Sequence, residues 1–445
     1  MKKEIFIFIT LSVSIISVAS EARVFDPIDY GAKPDGVTLC TKAIQIAIDE
    51  CAAGGGGTVR LQGGQFLSGT VFMKSNITLE IAENATLLGS TDLADYPVTI
   101  PDVLTTSHRY TNKSLIYGEN LTNIAIIGKG TYDGQGASFE GDWLVRPFGI
   151  RFVECTNVRM EDLTLRNSPM WMQHYLHCDN VTVRGITVWN HCNKNNDMID
   201  IDGCHNVLIE NCVSDTDDDG LTLKSTSKRA CDVITIRNCT LSSHCNALKC
   251  GTESLGGFKN MTVSNCVIKP SAQRTAIYGD PDGLAGIALE IVDGGIMENV
   301  RISDVEIEGT HSPIFIRLGN RGRRINQYIF ARLGIEKTPI NEYTPGPDVG
   351  ILRNVTISDV NATTPSAMGC AIAGIENHRI ENLTLKNLNI SFAGGGVKDD
   401  IARRFDEKAA KYPECKMFAD RLPAYGFFFW HVKDVVLDNV KMEVT

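Results

Sequence analysis

Short runs in which aliphatic and polar residues alternate recur along most of this chain, and an asparagine or aspartate stands at the head of each. They read "TNIAIIGKG" from Thr122, "TNVRMEDLTLRNS" from Thr156, "DNVTVRGITVWNHC" from Asp179, "HNVLIENCVSD" from His205 and "KNMTVSNCVI" from Lys259. The pattern returns at Glu298, Arg353, Glu381 and Lys433. Steps from Asn157 to Asn180, Asn206, Asp232 and Asn260 are 23, 26, 26 and 28 residues, and later steps lengthen as if loops were inserted. Alternation with period two marks strands with one buried face. A unit of this length holding several short strands buries no core alone, but stacked units bury a continuous one. The expected fold is all-β, a single-stranded right-handed parallel β-helix. The heading asparagines fall at bends, where their side chains satisfy backbone groups and stack on the asparagine of the next turn. Strands of an antiparallel sandwich would not share one residue pattern at this interval.

Ahead of the repeats, "CTKAIQIAIDECAA" (Cys40 to Ala53) sets Ala43, Ile44, Ala47 and Ile48 on one helical face before "GGGG". This predicts a short N-terminal helix that caps the open end of the coil. The whole of 24–445 then reads as one β-helical domain. Residues 1–20, "MKKEIFIFITLSVSIISVAS", carry a basic start, an apolar run and small residues at the end, the pattern of a secretory signal peptide. The expected location is secreted or periplasmic, with no membrane insertion. A net charge of -10 gives the protein no general attraction for nucleic acid or anionic lipid. Fourteen cysteines in an exported chain invite a disulfide reading. Their spacing points instead to buried ladders, with Cys212, Cys239 and Cys266 at 27-residue steps and Cys155, Cys178 and Cys204 just ahead of strands.

Candidate chemistry is concentrated in two successive repeats. "NNDMIDIDG" (Asn195 to Gly203) and "DTDDDGLTLKS" (Asp215 to Ser225) hold Asp197, Asp218 and Asp219, and the first two are 21 residues apart. One coil apart in a β-helix means adjacent in space. Carboxylates that close raise one another's pKa, so one keeps a proton while another stays ionised. That division supplies an acid and a base for cutting a glycosidic bond. Acidic repeats in β-solenoids also bind calcium, but there the acids recur at every turn.

These motifs resemble those of the polygalacturonases, glycoside hydrolase family 28, which have the pectin-lyase-like fold. "DPIDYGAKPDGVTLCTKAIQIAIDEC" (Asp26) and the stretch from Gly55 are similar to the family's N-terminal region, and "NSPMWMQHYLHC" (Asn167) resembles the approach to its active site. "NND" at Asn195 stands where the family has Asn-Thr-Asp, and "DDD" at Asp217 covers its Gly-Asp-Asp. The resemblance implies hydrolysis with inversion. Asp218 would be the general acid, while Asp197 and Asp219 hold and deprotonate the water. It implies no cofactor and no metal.

Two departures bear on substrate. The family's Gly-His-Gly falls on "SSHCNALKCGTES", which puts Asn246 in the histidine's place and His244 two residues earlier. Asn195, His244 and Asn246 are the candidate substrate contacts nearest the acids. The family's Arg-Ile-Lys clasp for a uronate carboxylate aligns with "GIALEIVDGG", where Ala288 and Glu290 replace both cations. Glu290 would repel a carboxylate, and Arg317, one repeat on, is a candidate substitute through paired hydrogen bonds. The expected partner is a pectic polysaccharide or oligosaccharide, met by a monomer. Galacturonate at the cleaved bond is the first expectation, with rhamnogalacturonan fragments or substituted galacturonan favoured over smooth chains. Inserts at 320–350 and 394–425 would give exo-action if they wall off the groove. A calcium-dependent pectic lyase on the same fold and a non-catalytic carbohydrate-binding adhesin are the rival readings.

Overall fold

The computed structural model describes residues 23–324, 334, 349–424 and 426–445. The signal-peptide segment and most of the 320–350 insert lie outside these. Every inter-strand pairing within its sheets is parallel, and each strand pairs with its counterpart one turn on, as in Val181 with Val207 and Val207 with Ile234. The result is the parallel β-helix that the repeats predict. One sheet of eleven strands runs the length of the coil, and a larger sheet of twenty-one wraps around the remainder.

Bends in the coil are asparagine ladders. Asn76, Asn123, Asn157, Asn180 and Asn206 all adopt left-handed φ between 54° and 64°. Each amide donates to the one before it, at 2.6 to 2.9 Å. Asparagine tolerates this conformation better than other side-chain-bearing residues. A second ladder, Asn211–Asn238–Asn265, turns the other corner of the larger sheet. One rung is split between two residues. Register pairs His205 with Asp232 and Val207 with Ile234, so Val233 takes the backbone position after Asn206, while the Asp232 carboxylate accepts the ladder hydrogen bond from Asn260 at 2.8 Å. Val233 is held at φ 57°.

Inside the coil, aliphatic side chains from both sheets form one continuous core. The helix Thr41–Ala53 lays Ala43, Ile44, Ala47, Ile48 and Cys51 over its N-terminal end. All fourteen cysteines are unpaired, and all but Cys192 are buried. The Cys178 amide N–H points to Cys204 Sγ at 3.3 Å, as in a stack.

The two sheets differ in a way that positions function. Strands of the larger sheet alternate buried and exposed residues, as in Ile296–Glu308. Strands of the eleven-stranded sheet are buried on both faces, as in Ile199–Asp202, Leu221–Ser225 and Asn246–Ser254. Their outward side chains nevertheless include His174, Asp200, Asp202, Lys224 and Lys249, each 4% exposed or less. Loops cover this face, and buried polar groups of that kind need partners.

Candidate active site

The acids and Asn246 stand at the entry to three consecutive strands. The Met198 N–H donates to the Asp219 carbonyl at 3.1 Å, and the Gly220 N–H donates to the Asn246 carbonyl at 2.8 Å. Asp197, Asp219 and Asn246 therefore stack from turn to turn, with Asp218 beside Asp219. Asn196 shapes the first of these entries. Its Oδ1 accepts the N–H of Cys192 and of Asn193, and its Nδ2 donates to the Ser168 carbonyl at 2.7 Å. Asn195, at φ 56°, then donates to Asp218 Oδ2 at 3.2 Å while Arg146 donates to its own Oδ1 at 3.0 Å.

The carboxyls are driven apart electrostatically. Burial, then the Asp219 charge, pushes Asp218 up to about 6. Asp219 is buried too, which would raise it. Lys249 and Lys224 outweigh that penalty, with hydrogen bonds from Lys249 and Asn246, and hold it below the usual carboxylate range. Lys249 Nζ lies 2.8 Å from Asp219 Oδ2, and Asn246 gives both its backbone N–H (3.1 Å) and its Nδ2 (2.8 Å) to Oδ1. Asp197 is raised well above its ordinary value by burial, then by Asp200 and Asp218. Its Oδ1 has no protein partner. Asp200 is pushed up to about 8 by burial, although Lys224 stands 3.2 Å away. Two neighbouring carboxyls in such different environments are the arrangement that assigns acid and base.

A cavity of about 310 Å³ opens beside Asp218 and Asp219. Asn246 and Tyr278 line it, together with Tyr412, Glu414 and Lys416 from the second insert. A larger cavity of about 730 Å³ lies between Gly394–Val397, Leu422–Ala424 and Val444. Its walls are mostly apolar, and it includes none of the four site aspartates.

The aspartate run has two jobs. Asp218 and Asp219 face the cavity, whereas Asp215 and Asp217 hold the 271–283 loop. Asp217 accepts the N–H of Ile277 (2.7 Å) and of Tyr278 (2.8 Å), and Asp215 accepts from Ser271, Ala272 and His191. Burial would raise Asp217, but these partners, with His244, hold it below the usual range.

Three expectations are corrected. His244 is fully buried, with Nδ1 2.9 Å from Asp217 and Nε2 2.7 Å from the Gln273 carbonyl, so it braces the loop instead of meeting substrate. Arg317 is 1% exposed; its guanidinium donates to the carbonyls of Ala373, Gly374 and Glu407, tying the second insert to the coil. Burial lowers its pKa to about 10. Glu290 is fully buried beneath Thr252, which donates to it at 3.0 Å, and burial raises it to about 7. It does not confront a ligand carboxylate. Asn246 is 4% exposed, and its amide serves Asp219.

Sequence reasoning missed Lys249, Tyr278 and Tyr412. Only Lys249 left a signal, a cation between Leu248 and Cys250 on a strand whose outward face is otherwise covered. The acids could offer oxygens to a cation, and Asp218, Asp219 and Cys245 lie close enough together to do so. Asp219, however, already meets a lysine ammonium on Oδ2 and two amide donors on Oδ1.

The sequence profile described as "Glycosyl hydrolases family 28" matches residues 51–319. A probable polygalacturonase of Vitis vinifera is 28% identical over 86% of this chain and 77% of its own length. An exo-poly-alpha-D-galacturonosidase of Dickeya chrysanthemi is 27% identical over 45% of this chain and 41% of its own. The solved exopolygalacturonase of Thermotoga maritima superposes with a TM-score of 0.68 at 24% identity, covering 83% of this chain and 87% of that one.

Proposed function

The chain belongs to glycosyl hydrolases family 28 and is a glycosidase of the polygalacturonase type, and on that premise we propose that it is an exported, inverting exo-hydrolase of pectic oligosaccharides. The observation that carries the reaction is the split between Asp218, near 6, and Asp219, held ionised 2.8 Å from Lys249. Asp218 gives its proton to the leaving glycosidic oxygen as the bond to the anomeric carbon breaks. Asp219 takes a proton from the water whose oxygen forms the new bond on the opposite face. Asp197, with Oδ1 free, holds that water and carries less negative charge than Asp219. Asn195 aims Asp218. Export is read from residues 1–20.

Exo-action is supported by Tyr412, Glu414 and Lys416, which wall the cavity at a volume near the low end of ligand sites. A chain end fits such a space better than a long internal stretch. Galacturonate at the cleaved bond remains the leading substrate. Ala288 supplies no cation, but Lys416 at the cavity wall does, paired there with Asp280 at 2.7 Å. The objection from Glu290 falls with its burial. The test is a panel of oligogalacturonides, xylogalacturonan and rhamnogalacturonan oligosaccharides, with products resolved by size and anomer. Single residues released with inverted configuration are expected. Asp218→Asn and Asp197→Asn should each cost at least about a hundredfold in kcat. Unsaturated products, or a loss under threefold in both variants, would refute the assignment.

A further inference from the structure

Lys249 is buried, charged and next to the reacting groups, and its place in the coil gives it more to do than offset a charge. Register places it between Thr222 on one turn and Ala288 on the next, two short side chains that leave room for its stem. It is 2% exposed, and its ammonium meets Asp219 Oδ2 at 2.8 Å and Tyr412 Oη at 3.2 Å. The stem reaches from one turn of the coil to the carboxylate of the turn before. The tyrosine arrives from the second insert, 163 residues later in the chain.

We propose that Lys249 is a positioning residue for hydrolysis, a fixed cation that fixes the orientation of Asp219 and keeps it ionised beside Asp218. This rests on Asp219 being the base, as proposed above. With Asn246, the lysine occupies both oxygens of Asp219, so the carboxylate has one orientation. A titrating imidazole in that position would lose its charge in the working pH range, whereas an ammonium paired in this way does not. Without the lysine, Asp218 and Asp219 would compete for one proton, and the base would be lost before the acid was ready.

Asp219 is also faced by Asp218, by Asp197 and Asp200 from the preceding turn, and by Lys224. Cys245, Glu290, Tyr278 and Tyr412 complete its titratable surroundings. Lys224 is shared among Asp200, Asp197 and Glu253, at 3.2 to 4.0 Å, and is not available to replace Lys249.

The test is the pH profile of kcat/KM for wild type, Lys249→Met and Lys249→Arg on the best oligosaccharide of the panel. In Lys249→Met the acidic limb should move up by at least about one pH unit, so the loss relative to wild type grows as pH falls and reaches about tenfold or more below the wild-type limb. Lys249→Arg should keep the wild-type limb. A folded Lys249→Met with an unmoved limb, or a displaced limb in Lys249→Arg, overturns the proposal. Asp218→Asn run alongside separates the failures, since full activity there would sink the acid assignment and not the lysine. A second readout needs no substrate. At low pH Asp219 can take a proton in place of its lost partner, so the Tm deficit of Lys249→Met should be small near pH 3 and grow toward pH 7. An equal deficit at every pH would reduce the lysine to packing.

Discussion

Val233 gives the sharpest quantitative test of how the coil is held. It stands in the ladder column between Asn206 and Asn260, at φ 57°, half-exposed, with a branched Cβ where both neighbours carry asparagine. The left-handed conformation costs an ordinary residue about 1–2 kcal/mol, and β-branching makes it worse. Val233→Asn removes most of that cost. Each lower rung donates its Nδ2 to the rung before, as Asn206 does to Asn180 at 2.6 Å. The new side chain can therefore donate to Asn206 Oδ1, for about 0.5 kcal/mol in so exposed a place. The expected gain is about 1.5–2.5 kcal/mol. For a chain of this length that is a rise in Tm of roughly 2 °C, because unfolding entropy scales with residue number. Scanning calorimetry reads the shift, and amide exchange at residues 232–234 reads it locally, slowing by roughly tenfold or more. Asn206→Val should cost as much or more, since it adds strain and breaks the bond to Asn180. If Val233→Asn leaves Tm and local exchange unchanged while Asn206→Val is harmless, left-handed strain is not what selects asparagine at these bends.

The pH dependence follows from Asp218, whose acid form the reaction needs. With its pKa near 6 and Asp219 below the usual carboxylate range, kcat/KM should be highest near pH 4.5–5.5 and drop about tenfold per unit above pH 6; a plateau to pH 8 would contradict this. Asp217→Ala leaves the Ile277 and Tyr278 N–H groups without their acceptor, a cost of about 1–3 kcal/mol each if they stay buried. Protease cleavage within 271–283 should then speed up about tenfold and KM should rise, and unchanged values for both would refute the anchoring role. Arg317→Met removes the donor to three carbonyls and should destabilise by about 2–4 kcal/mol with KM within threefold of wild type. A tenfold rise in KM at constant Tm would restore Arg317 as a substrate clasp.

Much of this protein is written in its local pattern. Period-two alternation, the 23- to 28-residue spacing and the heading asparagines determine a stacked coil, because strand faces and left-handed bends depend only on neighbours along the chain and one turn away. The same spacing brings Asp197, Asp218 and Asn195 together. What the sequence left undecided is which way each polar group on the eleven-stranded sheet is turned and what lies over it. Asp217 and Asp218 are adjacent in sequence, yet one is capped by backbone 60 residues on and the other opens to the cavity. His244 and Arg317 read as ligand contacts until the 271–283 loop and the second insert are seen to bury them, and Glu290 reads as a barrier to a carboxylate until Thr252 is seen against it. Tyr412 reaches Lys249 across 163 residues, a contact with no periodic signature. Repeats fix registry between turns, while burial on the outer face is set by inserts that obey no repeat, so only the folded chain could separate the acids that react from those that hold the walls.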